Sequence, residues 1–535
     1  MEVLIYNAKV YVERGVFAQA VLTRDGRIAA VGTAEELAAQ AAPDAQRYDA
    51  GGRTVVPGFN DSHQHLYQLG ENLQSVDLHG ADSIAEVQRR ARAFIAAHDL
   101  QPGSVLHGTG WNQDYFTDTG RLLTRQDLDE VSDEIAIILE RACGHILTAN
   151  TRAIALAGVT NGSTPPAGGA FDFDENGQLT GVFRENACGL LLRLKPANTP
   201  ETIAATLRLA MRHAAAHGVT SVQTMDLNAD NWQQMLAAYA AVQKDPTLRV
   251  YHQCNFQEPE GLKQFIAAGH KTGEGDEFTR IGPLKMFVDG SLGARTALMR
   301  APYHDDPTTS GIATMTPEEL NEMVRLAAAN GVQIAIHAIG DGAIERVLNS
   351  YDLVCEGANP LRHGIVHCQI TDRALVQRFA DNDTLAYVQP IFLHYDISVV
   401  EQRVGSALAS TSYAFGTMQR MGLHMSFGTD APVEDLDPID NLYCAVNRCN
   451  LSGQPAGGFV PAEKLDIYDA VDAYTAQSAY ASFEEEVKGR IRPGQYADLV
   501  VLSEDIFTLP GEKLREAKVD ATMVNGRFVY EREAQ

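Results

Sequence analysis

Thr316-Pro317-Glu318-Glu319, then Leu320, Met323, Val324 and Ala327, then Asn330-Gly331, then Val332-Gln333-Ile334-Ala335-Ile336-His337: these residues spell out one helix and one strand in full. A threonine three residues ahead of a glutamate, with proline at the first helical position, is a capping box. The apolar residues that follow recur at helical spacing, and Asn-Gly stops the helix. The run after it is strand-like and ends on a histidine. Similar apolar runs occur at 219–224, 249–255, 284–288, 364–367, 385–389 and 424–427. With Thr54-Val55-Val56-Pro57-Gly58 they make eight, the strand number of a (β/α)8 TIM barrel. Helical patterns between them, such as 202–216, fit the crossovers of parallel βαβ units.

Outside this rhythm the chain changes texture twice. Val3-Leu4-Ile5, Ala20-Val21-Leu22 and Ile28-Ala29-Ala30-Val31 read as short strands near the start. Asp498-Leu499-Val500-Val501-Leu502 and Ala521-Thr522-Met523-Val524, with Asn525-Gly526 before Arg527-Phe528-Val529-Tyr530, read the same way near the end. Asn-Gly between alternating runs is a strong hairpin signal. The expectation is one β-sandwich domain assembled from residues 1–54 and 488–535 around a barrel of residues 55–487; two unrelated terminal hairpins are the alternative. Residues 70–200 are too long for a βα loop and rich in Gly, Asp, Asn and aromatics, so they read as an inserted α+β subdomain at the barrel mouth.

Composition narrows the function. The 535 residues exceed one ordinary core, and 45% hydrophobic with 21% charged is globular. A net charge of −26 argues against a protein that tracks phosphates, so no nucleic-acid partner is expected. Seven scattered cysteines without a C-x-x-C pair argue against a thiolate zinc site or a disulfide framework and point to a reducing compartment. No signal peptide and no apolar run of membrane-spanning length are evident. A cytoplasmic protein with a small-molecule substrate and no membrane partner is expected; a homo-oligomer stays open.

Pro57-Gly58-Phe59-Asn60-Asp61-Ser62-His63-Gln64-His65 carries the strongest local chemistry. On a strand, residues i and i+2 share a face, so His63 and His65 can present two imidazoles to one ion. By itself an H-x-H is weak, since paired surface histidines are common. His337 and His367, however, each end an apolar run, and Asp430 follows another in Ser426-Phe427-Gly428-Thr429-Asp430. All fall at the C-terminal ends of expected barrel strands, the face where such barrels do chemistry. Several histidines and a carboxylate at successive strand ends are hard to explain by packing.

Together with Gly110-Trp111-Asn112-Gln113, Gly181-Val182-Phe183-Arg184-Glu185, LKMFVDGSLGARTA, AIHAIGD and RPGQYADLVVL, these motifs make the chain resemble the amidohydrolase superfamily over nearly its whole length. The likeness is to its third family, which includes N-substituted formamide deformylase. The resemblance implies that His63 and His65 hold one metal ion, that His337 and His367 hold a second, and that Asp430 binds metal and shuttles the proton. It also implies that Lys285, in Leu284-Lys285-Met286-Phe287, is carbamylated and bridges two ions. A sheltered lysine is readily neutralised, and its free amine can add carbon dioxide. The other reading keeps Lys285 as an ammonium paired with Asp289 or Asp430. Zinc, one or two ions per chain, or another divalent metal, is the implied cofactor, with the carbamate present if the site is binuclear.

The resulting expectation is a hydrolase in which metal-bound hydroxide attacks the carbonyl of an amide, a substituted formamide or a cyclic amide. Trp111, Arg141, His145 and Glu185, in family-like stretches of the insertion, are candidate substrate contacts, with a structural role the alternative for each. Cys143, where the family often has Asp or Ser, reads as packing rather than as a nucleophile. Asp172-Phe173-Asp174-Glu175-Asn176-Gly177 opens like a calcium loop, but Phe183 stands where the closing glutamate is required, so a β-turn is expected. An esterase, an isomerase, or a catalytically silent regulator or binding protein on the same scaffold are the competing functions.

Overall fold

Eight parallel strands follow one another around a single sheet in chain order, each hydrogen-bonded to the next. They are β1 (Phe59–Gln64), β2 (Val219–Asn228), β3 (Arg249–Asn255), β4 (Thr279–Phe287), β5 (Ile334–Ala338), β6 (Gly364–His367), β7 (Leu385–Val388) and β8 (Met425–Phe427). Just beyond the strand ends, Asp430 N donates to His63 O and His65 N donates to Ala431 O, both at 2.8 Å. The first and last strands thereby meet, and the sheet is the expected TIM barrel. This computed structural model describes residues 1–142, 145–195, 198–355 and 357–533. Cys143 lies outside the described residues.

The helices between strands form for the reasons the sequence carries. Pro317–Ala329 starts on Thr316, whose hydroxyl accepts from Glu319 N while the Glu319 carboxylate accepts from Thr316 N, and it buries Leu320, Met323, Val324 and Ala327. Burying Leu320, Met323 and Val324 stabilises the helix by roughly 1.5–3 kcal/mol each, together far more than the cap, with Ala327 adding less on the same stripe.

The structure corrects one strand. Thr54–Pro57 does not enter the barrel; it pairs in parallel with Lys9-Val10 and antiparallel with Leu499–Leu502. Phe59–Gln64, beyond Gly58, is the true first barrel strand. All four residues Thr54–Pro57 are buried, and that run of apolar character satisfies a sandwich interior as well as a barrel wall. The sheet holding this strand runs Arg527–Glu531, Val519–Val524, Leu499–Leu502, Thr54–Pro57, Lys9–Glu13, Val16–Ala18, so it draws on both ends of the chain. A second sheet contains Arg27–Gly32, Ala20–Arg24, Glu2–Tyr6 and Gln46–Asp49. Val3, Ile5, Val21 and Ile28 share one core with Val55, Leu499, Val501, Ala521 and Met523. The hairpin at Asn525-Gly526 has φ of 52° and 72°, the left-handed pair that a tight two-residue turn requires.

Residues Gln68–Thr206 form a compact unit of their own. Its six-stranded sheet runs Gly169–Phe173, Leu179–Glu185, Ile146–Ala149, Ala136–Arg141, Val105–Trp111, Ser75–Asp77. Alternate residues of Ala136–Arg141 serve two cores: Ile137 and Leu139 pack with Val76, Leu106 and Trp111, while Ala136 and Ile138 pack with Leu147, Phe171 and Phe183. Asp174 to Gln178 is a turn joining two strands, with Asp174 N donating to Gln178 O, and not a calcium loop. Among the described residues no helix is long and apolar enough to cross a membrane, and the six described cysteines are free and buried.

Candidate metal centre

The C-terminal ends of the barrel strands bring the expected residues together. Ligand atoms of His63, His367 and Asp430, all buried, lie within 4.8 Å of one another. Asp430 Oδ1 stands 3.2 Å from His63 Nε2 and 3.0 Å from His65 Nε2. The imidazole centroids are 5.5 Å apart for His63 and His65, 5.6 Å for His63 and His367, and 4.5 Å for His337 and His367. Backbone geometry contributes: His367 has φ of 80° and Asp430 of 60°, a region that non-glycine residues adopt at a cost of about 1–3 kcal/mol and mostly at functional sites.

Lys285, on β4, is fully buried. Its Nζ has no hydrogen-bond partner and sits 3.8 Å from the centroid of the Phe287 ring. Burial pushes the amine down to about 7, against the pull of the Asp430 and Asp289 carboxylates. No hydrogen bond joins Nζ to either aspartate. Asp289 is occupied elsewhere: its carboxylate accepts from the backbone of Leu298, Ile339 and Gly340 and faces His337 Nε2 at 3.3 Å.

Electrostatics make this a donor set. Burial keeps His63 at about 4 and His367 well below the ordinary histidine value, so both rings are neutral and carry a lone pair. A buried carboxylate, neutral imidazoles converging on it and a buried amine without a partner fit a divalent cation with nitrogen and oxygen ligands, of which zinc is the type. His337 lies outside that three-residue cluster, its ring centroid 4.5 Å from that of His367. Its Nε2 lies 3.0 Å from Gly290 O, which leaves Nδ1 as its available nitrogen.

Three further residues support these ligands. Gln253 Oε1 lies 2.6 Å from His63 Nδ1, and Gln389 Oε1 lies 2.8 Å from His367 Nδ1. Asp61 accepts from His63 N, Thr429 N, Thr429 Oγ1 and Tyr474 Oη. Asp61 stands within the stretch 57–65, where only its position two residues before His63 could have pointed to it; nothing in the sequence marks the glutamines.

The four candidate substrate residues all lie in the Gln68–Thr206 unit. Trp111 is fully buried in its core and donates its indole N–H to Leu139 O at 3.1 Å. Arg141 donates to Gln113 Oε1 and Asn112 Oδ1, both at 2.8 Å, and to Asp114 Oδ2 at 3.1 Å. His145 and Glu185 form an exposed pair at 2.9 Å. Exposed pairs of this kind contribute about 0–1 kcal/mol to stability.

Comparison with known proteins agrees with this geometry. The sequence profile of the amidohydrolase family matches residues 46–530. A second, short match over residues 20–42 is to the bacterial imidazolonepropionase-like composite domain. The chain is 32% identical to YtcJ of Bacillus subtilis, a protein named as an amidohydrolase, covering 97% of each. It is 29% identical to an N-substituted formamide deformylase of Arthrobacter pascens, covering 99% of this chain and 98% of that one. Among solved structures, a metal-dependent hydrolase from Pyrococcus horikoshii is similar with a TM-score of 0.75 at 28% identity, covering 96% of this chain and 99% of that one.

Proposed function

The chain belongs to the amidohydrolase family, and from that premise we propose that it is a metal-dependent hydrolase that cleaves a carbon–nitrogen bond in a small molecule. Amides, N-substituted formamides and cyclic amides are the substrate classes. One observation carries the reading: His63, His367 and Asp430 converge within 4.8 Å beside the buried, partnerless amine of Lys285. The N-substituted formamide deformylase of Arthrobacter, aligned over nearly all of both chains, supports the choice of bond.

His63, His65, His337, His367 and Asp430 would hold the metal, zinc being favoured by the nitrogen-rich set. When bound, such a cation lowers the pKa of water to about 7 and polarises a carbonyl oxygen. Lys285 would complete the set as a carbamate: its amine is buried, unbonded and neutral enough to add carbon dioxide, and the product is an anionic oxygen ligand. Asp430 moves the proton. Its Oδ1 is turned to the two imidazoles of the first strand, and as an ionised carboxylate it accepts the proton of the attacking water and returns it to the leaving nitrogen. Arg141, His145 and Glu185 are the proposed polar contacts to substrate, and Trp111 supports them from the core of the same unit.

The test is metal content by elemental analysis, with and without bicarbonate, joined to a panel of amides, N-substituted formamides, cyclic amides and esters. Two ions per chain that respond to bicarbonate, with amine release from one amide class, is the expected result. A metal-replete protein that turns over none of the panel would overturn the catalytic reading and leave a binding or regulatory protein.

A further inference from the structure

Gln253 and Gln389 lie outside every motif that marks the site, yet each reaches the far nitrogen of a histidine in it. We propose that these two glutamines dictate which ring nitrogen His63 and His367 offer to a metal ion. The proposal rests on the metal-centre reading above and adds the residues that set its ligand atoms.

A neutral imidazole has one N–H and one lone pair, and only the lone pair can bind a cation. Which nitrogen carries the proton follows from what faces the other one. Gln253 Nε2 lies 3.0 Å from Ser62 O. A carbonyl oxygen only accepts, so the amide end that faces it is the NH2 group. The other end, Oε1, is then the atom 2.6 Å from His63 Nδ1. Two acceptors cannot share that contact, so Nδ1 carries the hydrogen and Nε2 the lone pair. Gln389 repeats the device: Nε2 donates to Tyr387 O at 3.3 Å, and Oε1 accepts from His367 Nδ1 at 2.8 Å.

Both amides are buried, Gln253 fully and Gln389 to 3% exposure, so water does not offer an alternative donor or acceptor. Turning either amide over would set carbonyl oxygen against carbonyl oxygen and leave a buried N–H2 against an N–H, at the full cost of unsatisfied buried groups. His63 Nε2 is then a lone pair pointed at Asp430 Oδ1 from 3.2 Å, two acceptors face to face, which is an arrangement that a cation between them satisfies. At His337, Nε2 faces Gly290 O at 3.0 Å, so that ring carries its hydrogen on Nε2 and its lone pair on Nδ1. A neutral amide in this role also orients the ring without adding a negative charge next to Asp430.

The test compares Gln253→Met with Gln253→Glu, and Gln389→Met with Gln389→Glu, in the full-length protein. Within each pair both variants lose the amide donor to the backbone carbonyl, while only the glutamate keeps an acceptor for the imidazole Nδ1–H. The readouts are Zn2+ affinity by chelator competition, and the tautomers of His63 and His367 from 15N spectra of histidine-labelled, metal-free protein, assigned with His63→Asn and His367→Asn. The methionine variants are expected to bind Zn2+ about 10–100-fold more weakly and to lose the pure Nδ1–H signature at the histidine concerned. The glutamate variants are expected to keep that signature and to bind at least as tightly as the parent. Equal loss of affinity in both members of a pair, or an unchanged tautomer in the methionine variant, would overturn the proposal. Absence of Zn2+ binding by the parent protein would instead sink the metal-centre reading, and the metal-free spectra would still decide the role of the glutamines.

Discussion

The Thr429 hydroxyl donates to Asp61 Oδ2 at 2.6 Å, across the seam where the barrel closes. Asp61 is two residues before His63 and Thr429 is one before Asp430, so this bond spaces a metal-ligating histidine of the first strand against the carboxylate after the last. The same Asp61 accepts from Thr429 N and His63 N. Gly428 makes the approach possible, since a Cβ there would stand 2.6 Å from His63 N. Thr429→Val keeps the shape and removes one donor from a buried carboxyl. It should cost about 1–3 kcal/mol of stability, read as a lower denaturation midpoint, and should weaken Zn2+ retention as well. Unchanged retention would show that the seam supports the fold without aligning the site.

Asp430→Asn preserves size and one acceptor oxygen but removes the charge and the proton acceptor. The variant should keep part of its metal by elemental analysis and lose turnover by at least about 10²–10⁴-fold. An active variant with its metal intact would sink the proton-shuttle role.

Lys285→Met replaces a buried amine without a partner by an apolar chain of similar length. Stability should hold or rise, because the desolvated polar group is gone. Metal content should fall and cease to respond to bicarbonate. A variant with the parent's metal content and bicarbonate response would remove Lys285 from the ligand set.

Arg249 and Asp498 form a buried pair, bonded at 2.6 and 3.1 Å with side chains 2% and 6% exposed, between β3 and the terminal sheets. Arg249→Met takes the guanidinium away from the buried Asp498 carboxylate, leaving it the Asn525 N–H as donor, at a cost of about 3–5 kcal/mol. Unfolding should reveal that loss, while Zn2+ affinity of the folded protein stays at the parent level.

Asp396 contributes to the pH dependence of stability. Burial raises its carboxyl to about 6, against the hydrogen bond from Tyr413 Oη at 2.7 Å. Below the ordinary value of 3.8 both folded and unfolded chains hold the proton, and nothing is lost. As the pH rises from there to about 6 the unfolded chain releases it first, so this group's contribution to stability falls, by up to roughly 3 kcal/mol. Above that window the penalty is constant. Asp396→Asn should flatten the stability profile in that range and raise stability at neutral pH. A profile with the parent's slope would assign the effect to other groups.

Much of this was legible in the chain because it is local. Capping at Thr316 and Glu319, the turn at Asn525-Gly526, the apolar runs that end on His337 and His367, and the H-x-H at 63 and 65 are all set by neighbours a few residues away. Periodicity and turn chemistry act over that distance, and seven of the eight apolar runs do line the barrel and mark the face on which its chemistry sits.

What the tertiary structure decided is which distant groups meet. Thr54–Pro57 reads equally well as a wall of the barrel or of the sandwich, and only its pairing with Leu499–Leu502 chose. Asp61 and Thr429 are 368 residues apart, and a carboxylate declares no partner at that range. Gln253 and Gln389 look like ordinary strand residues until folding sets their amides between a carbonyl and an imidazole. Hydrogen-bond direction depends on the atom across the gap, and sequence does not contain that atom's position; the kinds of ligand were written in the chain, and their alignment was written by the closure of the barrel.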